Sequence, residues 1–397
     1  MSHPSLLLCF SALLLALACA ACASETPEAT ATAETDEPAD SSASTLIYVG
    51  TATGDSTEGI YALRFDPAMG ALSQLGKVAQ VLNPSFLARS PDAQTLYAIS
   101  ESSGMGSVLA YRVDEGTGGL TLLNQQSTGG PGPAYVSTDQ TGRWVLVANY
   151  GGGSVALLPV EADGRLGEAT DVVHHEGSGP NADRQEAPHA HFIRTSPDNR
   201  YAYAADLGID RVRIYTLDAE NGSLMPENVR EAETAPGAGP RHLDFHPNGR
   251  FVYLMNELDA TVTAFSYDAE TGTLTPIQTL SSLPEDFEGY NKSADIHVHP
   301  SGQWLYASNR GDFDSIAIFT IDEATGQLTA AGHQQEGIRW PRNFAIDPSG
   351  RYLLVANRQA NEVRVFEINA ETGQLTPTAH RAEMPEPTNV TYMDTDG

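Results

Sequence analysis

Four short stretches of the chain carry side chains that hold charge and move protons. They are Pro188-His189-Ala190-His191, Gly239-Pro240-Arg241-His242, Asp295-Ile296-His297 and Pro341-Arg342-Asn343. A second series closes short apolar runs: Asn149-Tyr150, Asp206, Asn256-Glu257, Asn309-Arg310 and Asn357-Arg358. Arg184-Gln185 lies just ahead of His189, in a longer loop that also holds His174-His175. Imidazole and carboxylate groups act as general acids and bases near neutral pH. Guanidinium groups hold an anion or a developing oxyanion. Together these types describe a site that binds a small anion and transfers protons. Other polar residues have plainer readings. Asn149, Asn256 and Asn357 read as turn residues. His246 and His299 precede prolines in turns and read as solvated. Asp210, Asp259 and Asp312 read as loop caps. His174 and His175 are adjacent on an extended strand, point oppositely and do not share a metal ion. No metal or cofactor is expected.

The elements that position these residues repeat. An alternating β segment, a polar turn with Gly, and then Leu recur at Leu72, Leu120, Leu166, Leu224, Leu274, Leu328 and Leu375. The spacing is roughly 50 residues, as in repeats of four strands. Turns such as Asp268-Ala-Glu-Thr-Gly272 have hairpin chemistry, with Gly taking the positive φ. Between the hairpins runs a second pattern, seen in Pro247-Asn-Gly-Arg250 followed by Phe251-Val-Tyr-Leu-Met-Asn256. One unit is split: Thr45–Thr51 lacks a preceding strand, and Pro387–Met393 lacks a following one. The pattern predicts an all-β seven-bladed propeller with four antiparallel strands per blade. One blade is shared between the N- and C-terminal strands, which leaves no open edge around the ring. With strands lettered A to D from the channel outward, the start of A and the end of B lie at one face. The two series of polar residues occupy those positions.

The 397 residues include 22 basic and 51 acidic ones, a net charge of −29. That excludes nucleic acid and an anionic membrane surface as partners, since both need a basic face. Only two residues are lysine, and an acidic, lysine-poor surface suits high salt. The apolar run Leu6 to Ala21 predicts an export leader over 1–23. All three cysteines, Cys9, Cys19 and Cys22, fall there, so the body has no disulfide or thiolate chemistry. Cys19 or Cys22 is the candidate lipidation site, and membrane contact is expected only through such an anchor. Residues 24–44 read as a disordered acidic linker, and 45–397 as the propeller. The protein is expected to be a monomer in the periplasm or cell envelope.

Five motifs narrow the reading further: Arg184-Gln-Glu-Ala-Pro-His-Ala-His191, Gly239-Pro-Arg-His-Leu-Asp-Phe-His-Pro247, Asn256-Glu-Leu-Asp259, Ala294-Asp-Ile-His-Val298 and Ala307-Ser-Asn-Arg-Gly311. The chain resembles the lactonase family of seven-bladed propellers, of the 6-phosphogluconolactonase and carboxy-cis,cis-muconate cyclase type. Gly132-Pro-Ala-Tyr-Val136 departs from the family by lacking a histidine. The resemblance implies a metal-independent lactone hydrolase. His189, His191, Glu257 and Arg310 are its expected catalytic groups, with the choice between the histidines open because alternation puts both on one side. Arg241, Arg184, His297 and Arg342 are the expected substrate-binding groups. Either Glu257 or the histidine pair is the expected base. Arg310 is expected on a rim, so that Arg310→Ala and Glu257→Gln cost rate but not stability. An exported enzyme meets an unphosphorylated sugar lactone, or another lactone, as readily as the cytoplasmic 6-phosphogluconolactone. Two alternatives stand beside the hydrolase: a cyclase-like lyase acting on an unsaturated dicarboxylate, and a non-catalytic ligand-binding propeller.

Overall fold

A computed structural model describes residues 44–55, 57–102 and 104–393. The leader, its three cysteines and the linker up to residue 43 lie outside the described residues. The rest forms seven sheets of four antiparallel strands. Blade 1 takes its inner strand, A, from Pro387–Tyr392 and its strands B to D from Thr45–Thr51, Ile60–Asp66 and Ala71–Ala79. The seventh unit is thus shared between the two ends of the domain, as its split pattern predicted. The A strands of blades 2 to 7 are Leu87–Arg89, Pro133–Thr138, Ala190–Thr195, Pro240–Phe245, Asn291–Val298 and Pro341–Ile346. Their B strands are Thr95–Ser102, Trp144–Asn149, Tyr201–Asp206, Phe251–Asn256, Trp304–Gly311 and Tyr352–Asn357.

The B strands of blades 3, 4, 5 and 7 are buried at every position, because both faces of each sheet meet a neighbouring blade. The core is therefore seven interblade clusters. One packs Tyr203, Val212 and Ile214 of blade 4 against Leu243, Val252 and Phe265 of blade 5. In blades 3 to 7 the first aromatic of the B strand also packs on the hairpin glycine of the next blade. A Cβ on Gly272 (φ 71) would stand 2.7 Å from the Tyr201 ring, and one on Gly326 (φ 72) 2.4 Å from Phe251. Two residues further on, a tyrosine hydroxyl donates to that glycine's carbonyl: Tyr203 to Gly272 at 2.7 Å and Tyr253 to Gly326 at 3.1 Å.

His246 and His299 are staples rather than solvated turn residues, being 4% and 8% exposed. His246 Nδ1 accepts the Asn248 amide, which leaves Nε2–H to donate to Gly302 of the next blade at 2.8 Å. His299 does the same toward Gly350. Asp210 is more than a local cap. Buried at 3% exposure, its carboxylate accepts Gln185 Nε2 and the amides of Gly237 and Gly239.

Where strand A begins, the A–B register slips in six of the seven blades; four of these slips lie between Pro133 and Tyr135, Ala190 and Phe192, Pro240 and His242, and Pro341 and Asn343. The extra residues are Ala134, His191, Arg241 and Arg342. Bulges of this kind re-aim a side chain, and here they turn it toward the channel mouth.

Candidate active site

The bulges open onto a cavity of about 530 Å³ at the face where A strands start and B strands end. His191 and Arg342 line it from two bulges, Glu257 and Arg310 from the loop and strand end after B, and Arg184 and Tyr150 from loops. Lys292, Arg358, Glu101 and Trp340 also line it. Five cationic side chains thus face two carboxylates, in a protein of net charge −29.

Glu257 is the hub. Its carboxylate accepts Arg184 Nη2 at 2.7 Å, Arg241 Nε at 3.0 Å and Arg310 Nη2 at 3.3 Å. Burial alone would push its carboxyl up, but the guanidiniums of Arg310, Arg241 and Arg184 hold it down at about 2. A carboxylate so stabilised is a poor proton acceptor. Its role here is to anchor three cations.

Arg310 is not on a rim. It is 3% exposed, and its guanidinium donates to the carbonyls of Lys292 and Ser293 as well as to Glu257. Burial lowers it to about 10, against the pull of Glu257. Arg310→Ala and Glu257→Gln must therefore cost stability as well as rate, contrary to the expectation from sequence. Arg241 is likewise buried and donates to the Ala294 carbonyl at 2.6 Å and to His242 Nε2 at 3.2 Å. Arg342 differs. It makes no hydrogen bond or ion pair among the described residues. Burial and the nearby Arg241 and Arg310 hold its pKa well below the usual guanidinium range. Glu257 attracts it, but no carboxylate among the described residues lies within ion-pair distance.

The two candidate histidines part company at the bulge, which interrupts the alternation that would put them on one side. His189 stacks on Tyr150 at 4.5 Å, and its ring nitrogens meet the Tyr150 carbonyl and Glu186. It does not line the cavity. His191 does, at 5% exposure, and its buried Nδ1 has no partner. Burial, then the charge of Arg241, disfavours its protonation and keeps the imidazole neutral.

His297 stands apart from this cavity. It lies deeper in the channel, beyond His242, and borders a separate cavity near the opposite mouth. His242 Nδ1 donates to Asp295 at 2.7 Å, Asp295 accepts His297 Nε2 at 3.1 Å, and Asp244 accepts Arg194 at 3.0 Å beside His297. Burial would deprotonate His297, but Asp295 and Asp244 raise it to about 10, so it is an imidazolium. His242 is the opposite case: burial and Arg241 push it down to about 3. From Glu257 through Arg241, Asp295 and His297 to Asp244, charges alternate along the channel.

His174 is exposed and His175 buried, pointing oppositely as expected. Both ring nitrogens of His175 are used, by Asp206 at 2.6 Å and the Tyr215 hydroxyl at 2.7 Å. Asp206 also takes the His189 and Gly208 amides and belongs to the scaffold. Sequence reasoning overlooked Lys292, Glu101 and Trp340. One signal was present for Trp340: it precedes Pro341 where blades 3 and 5 carry Gly before Pro.

Residues 46–392 match the family described as Lactonase, 7-bladed beta-propeller. A 6-phosphogluconolactonase of Bacillus subtilis is 38% identical over 316 residues, which is 80% of this chain and 89% of that protein. Another, of Formosa agariphila, is 35% identical over 322 residues, covering 80% of this chain and 90% of its own length. The solved structure of a Pseudomonas aeruginosa periplasmic gluconolactonase superposes with a TM-score of 0.82 at 34% identity, covering 89% of this chain and 99% of that one. The chain belongs to the lactonase family of seven-bladed β-propellers and is an enzyme of the lactonase type.

Proposed function

We propose that the protein hydrolyses a sugar-type lactone to its hydroxy acid, with His191 as the proton-transfer group and Arg342 as the anion receptor. One observation carries this reading: His191, whose buried Nδ1 has no partner, shares a cavity with the Arg342 guanidinium, which makes no ion pair among the described residues. A neutral imidazole takes a proton from water as the oxygen attacks the lactone carbonyl. Arg342 then faces the oxyanion or an acidic substituent, where a half-buried cation is partly shielded from solvent screening. Collapse of the tetrahedral intermediate breaks the ring ester bond, and the imidazolium returns its proton to the leaving alkoxide. Glu257 takes no proton; it holds Arg184, Arg241 and Arg310 in place.

We also place the enzyme outside the cytoplasm, as a monomer. The apolar run Leu6 to Ala21 supports export, as does the periplasmic description of the Pseudomonas relative. That location favours an unphosphorylated sugar lactone. The cationic wall also suits a lactone bearing a carboxylate or phosphate.

The test is proton release by the full chain from D-glucono-1,5-lactone, its 6-phosphate and a muconate-type lactone. Hydrolysis of either sugar lactone is expected. His191→Asn should lower kcat by about 10²–10⁴-fold, and Arg342→Ala should weaken turnover of the anionic lactone most. The reading fails if neither sugar lactone is opened, or if His191→Asn turns over at the parental rate. Preferential turnover of the muconate-type lactone would instead favour the cyclase reading.

A further inference from the structure

In five blades the residue before the first proline of the A segment has a left-handed backbone. These residues are Asn83 (φ 48), Gly132 (φ 61), Gly239 (φ 67), Trp340 (φ 51) and Glu386 (φ 36). Glycine has no Cβ to clash there, and asparagine tolerates the conformation. For a bulky residue it is an outlier, and such strain persists where a site uses it. Glu386 has a visible use, because its carboxylate holds Arg358 at 2.6 Å. The Trp340 side chain makes no hydrogen bond among the described residues.

The other two tryptophans show what an ordinary one does in this fold. Trp144 and Trp304 open B strands, are 8% and 9% exposed, and pack on Gly222 and Gly373 of the next blade. Trp144 donates its indole N–H to the Ala219 carbonyl at 2.9 Å. Trp340 is half-buried, and its indole N–H makes no hydrogen bond among the described residues. It borders the central cavity and also an outer cleft of about 500 Å³ formed with Arg358, Gln359, Asn361 and Glu386. The Arg310 guanidinium lies 6.0 Å from its ring centroid.

We infer that Trp340 is a substrate-binding platform that sets specificity, and that its strained backbone is kept to hold the indole between the two spaces. This rests on the hydrolase reading. An indole face carries negative partial charge, and the C–H bonds of a saturated, hydroxylated ring present positive edges to it. Such a ring packs on Trp340 while its hydroxyls meet the polar wall and the free indole N–H. A larger substituent on the ring has the outer cleft to enter. The class selected is a saturated pyranose-type lactone, with substituents tolerated on the side facing the cleft.

The experiment uses the full chain with Trp340→Gly and Trp340→Phe. Kinetics on D-glucono-1,5-lactone, melting temperature, and indole fluorescence titrated with D-gluconate are measured. Removing a platform that binds ground and transition states alike raises KM by about 10-fold with kcat within about threefold. Trp340→Gly should do that while melting at or above the parental temperature, because glycine relieves the strain. Trp340→Phe should stay within about threefold of parental KM. Gluconate should quench the parent's fluorescence and leave that of Trp340→Phe unchanged. A Trp340→Gly variant with parental KM overturns the proposal. So does one that melts several degrees lower and loses kcat and KM together, which would mark a packing residue. If the parent opens no lactone, the hydrolase reading has failed, and the gluconate titration still decides the platform: absence of quenching at saturating gluconate sinks it.

Discussion

Replacing Glu257 by glutamine leaves Arg184, Arg241 and Arg310 facing one another with no counter-charge. Breaking a buried pair this way costs about 3–5 kcal/mol, so Glu257→Gln should melt well below the parent. The wild-type carboxyl sits at about 2, against an ordinary 4.5. A depressed carboxyl contributes stability above its unfolded value and loses it as pH falls through the folded one. Stability due to Glu257 is therefore complete above pH 4.5 and fades toward pH 2. His297 has the opposite sign. Raised from 6.5 to about 10, it stabilises fully below pH 6.5, and that contribution is lost as pH rises toward 10. Melting temperature against pH checks both: Glu257→Gln should flatten the acid limb and His297→Gln the alkaline one. A His297→Gln curve parallel to the parent's above pH 7 would contradict the assigned imidazolium. Much at this scale was legible in the sequence. The convergence of His191, Arg241, Glu257 and Arg310 followed from strand polarity and repeat position alone. Choosing His191 over His189 did not, because it depends on one extra residue in a bulge. Arg310 gave no sign of its burial either. That depends on carbonyls of Lys292 and Ser293, whose reach across the sheet no motif encodes.

At the scale of elements, blades 4, 5 and 6 are each fastened to the next by a hairpin glycine, an aromatic ring and a hydroxyl. Gly272 combines positive φ with the Tyr201 ring, whereas Gly249 (φ 67) has open space where a Cβ would go. Alanine at Gly249 should cost only backbone strain, about 1–2 kcal/mol. Alanine at Gly272 adds a steric clash with an interblade ring and should melt distinctly lower. Equal melting temperatures for the two variants would show that the ring contact is unimportant. The hairpins were readable from their polar-then-Gly turns. What they pack against was not, since each glycine meets a residue of the preceding blade, distant in the chain. Separation along the chain also hid the staples of His246 and His299, which look like exposed turn residues until the next blade arrives.

At the scale of the molecule, blade 1 is joined to its neighbours by its own inner strand. Val390 donates its amide to Asn343 of blade 7, and Asn389 accepts the Leu87 amide of blade 2. Truncation after Pro385 removes both ties and exposes the edge of Thr45–Thr51. The truncated protein should melt lower in a single transition. Limited proteolysis should cut blade 1 and blade 7 first. Cleavage confined to blade 7 would show that blade 1 stands without its inner strand.

The hydrogen bond from Thr388 to Gly50 spans 338 residues of chain. During synthesis, the strand Thr45–Thr51 is among the first of the domain to emerge and waits for a partner made almost last. The cost of joining such distant segments grows only slowly with chain length, but it is met before any closing contact is gained. Until then the arc stays open, with the inner edge of Thr45–Thr51 bare. Folding of this protein therefore has a clock in it. Its final step, closing the circle, falls after nearly every other blade has been delivered.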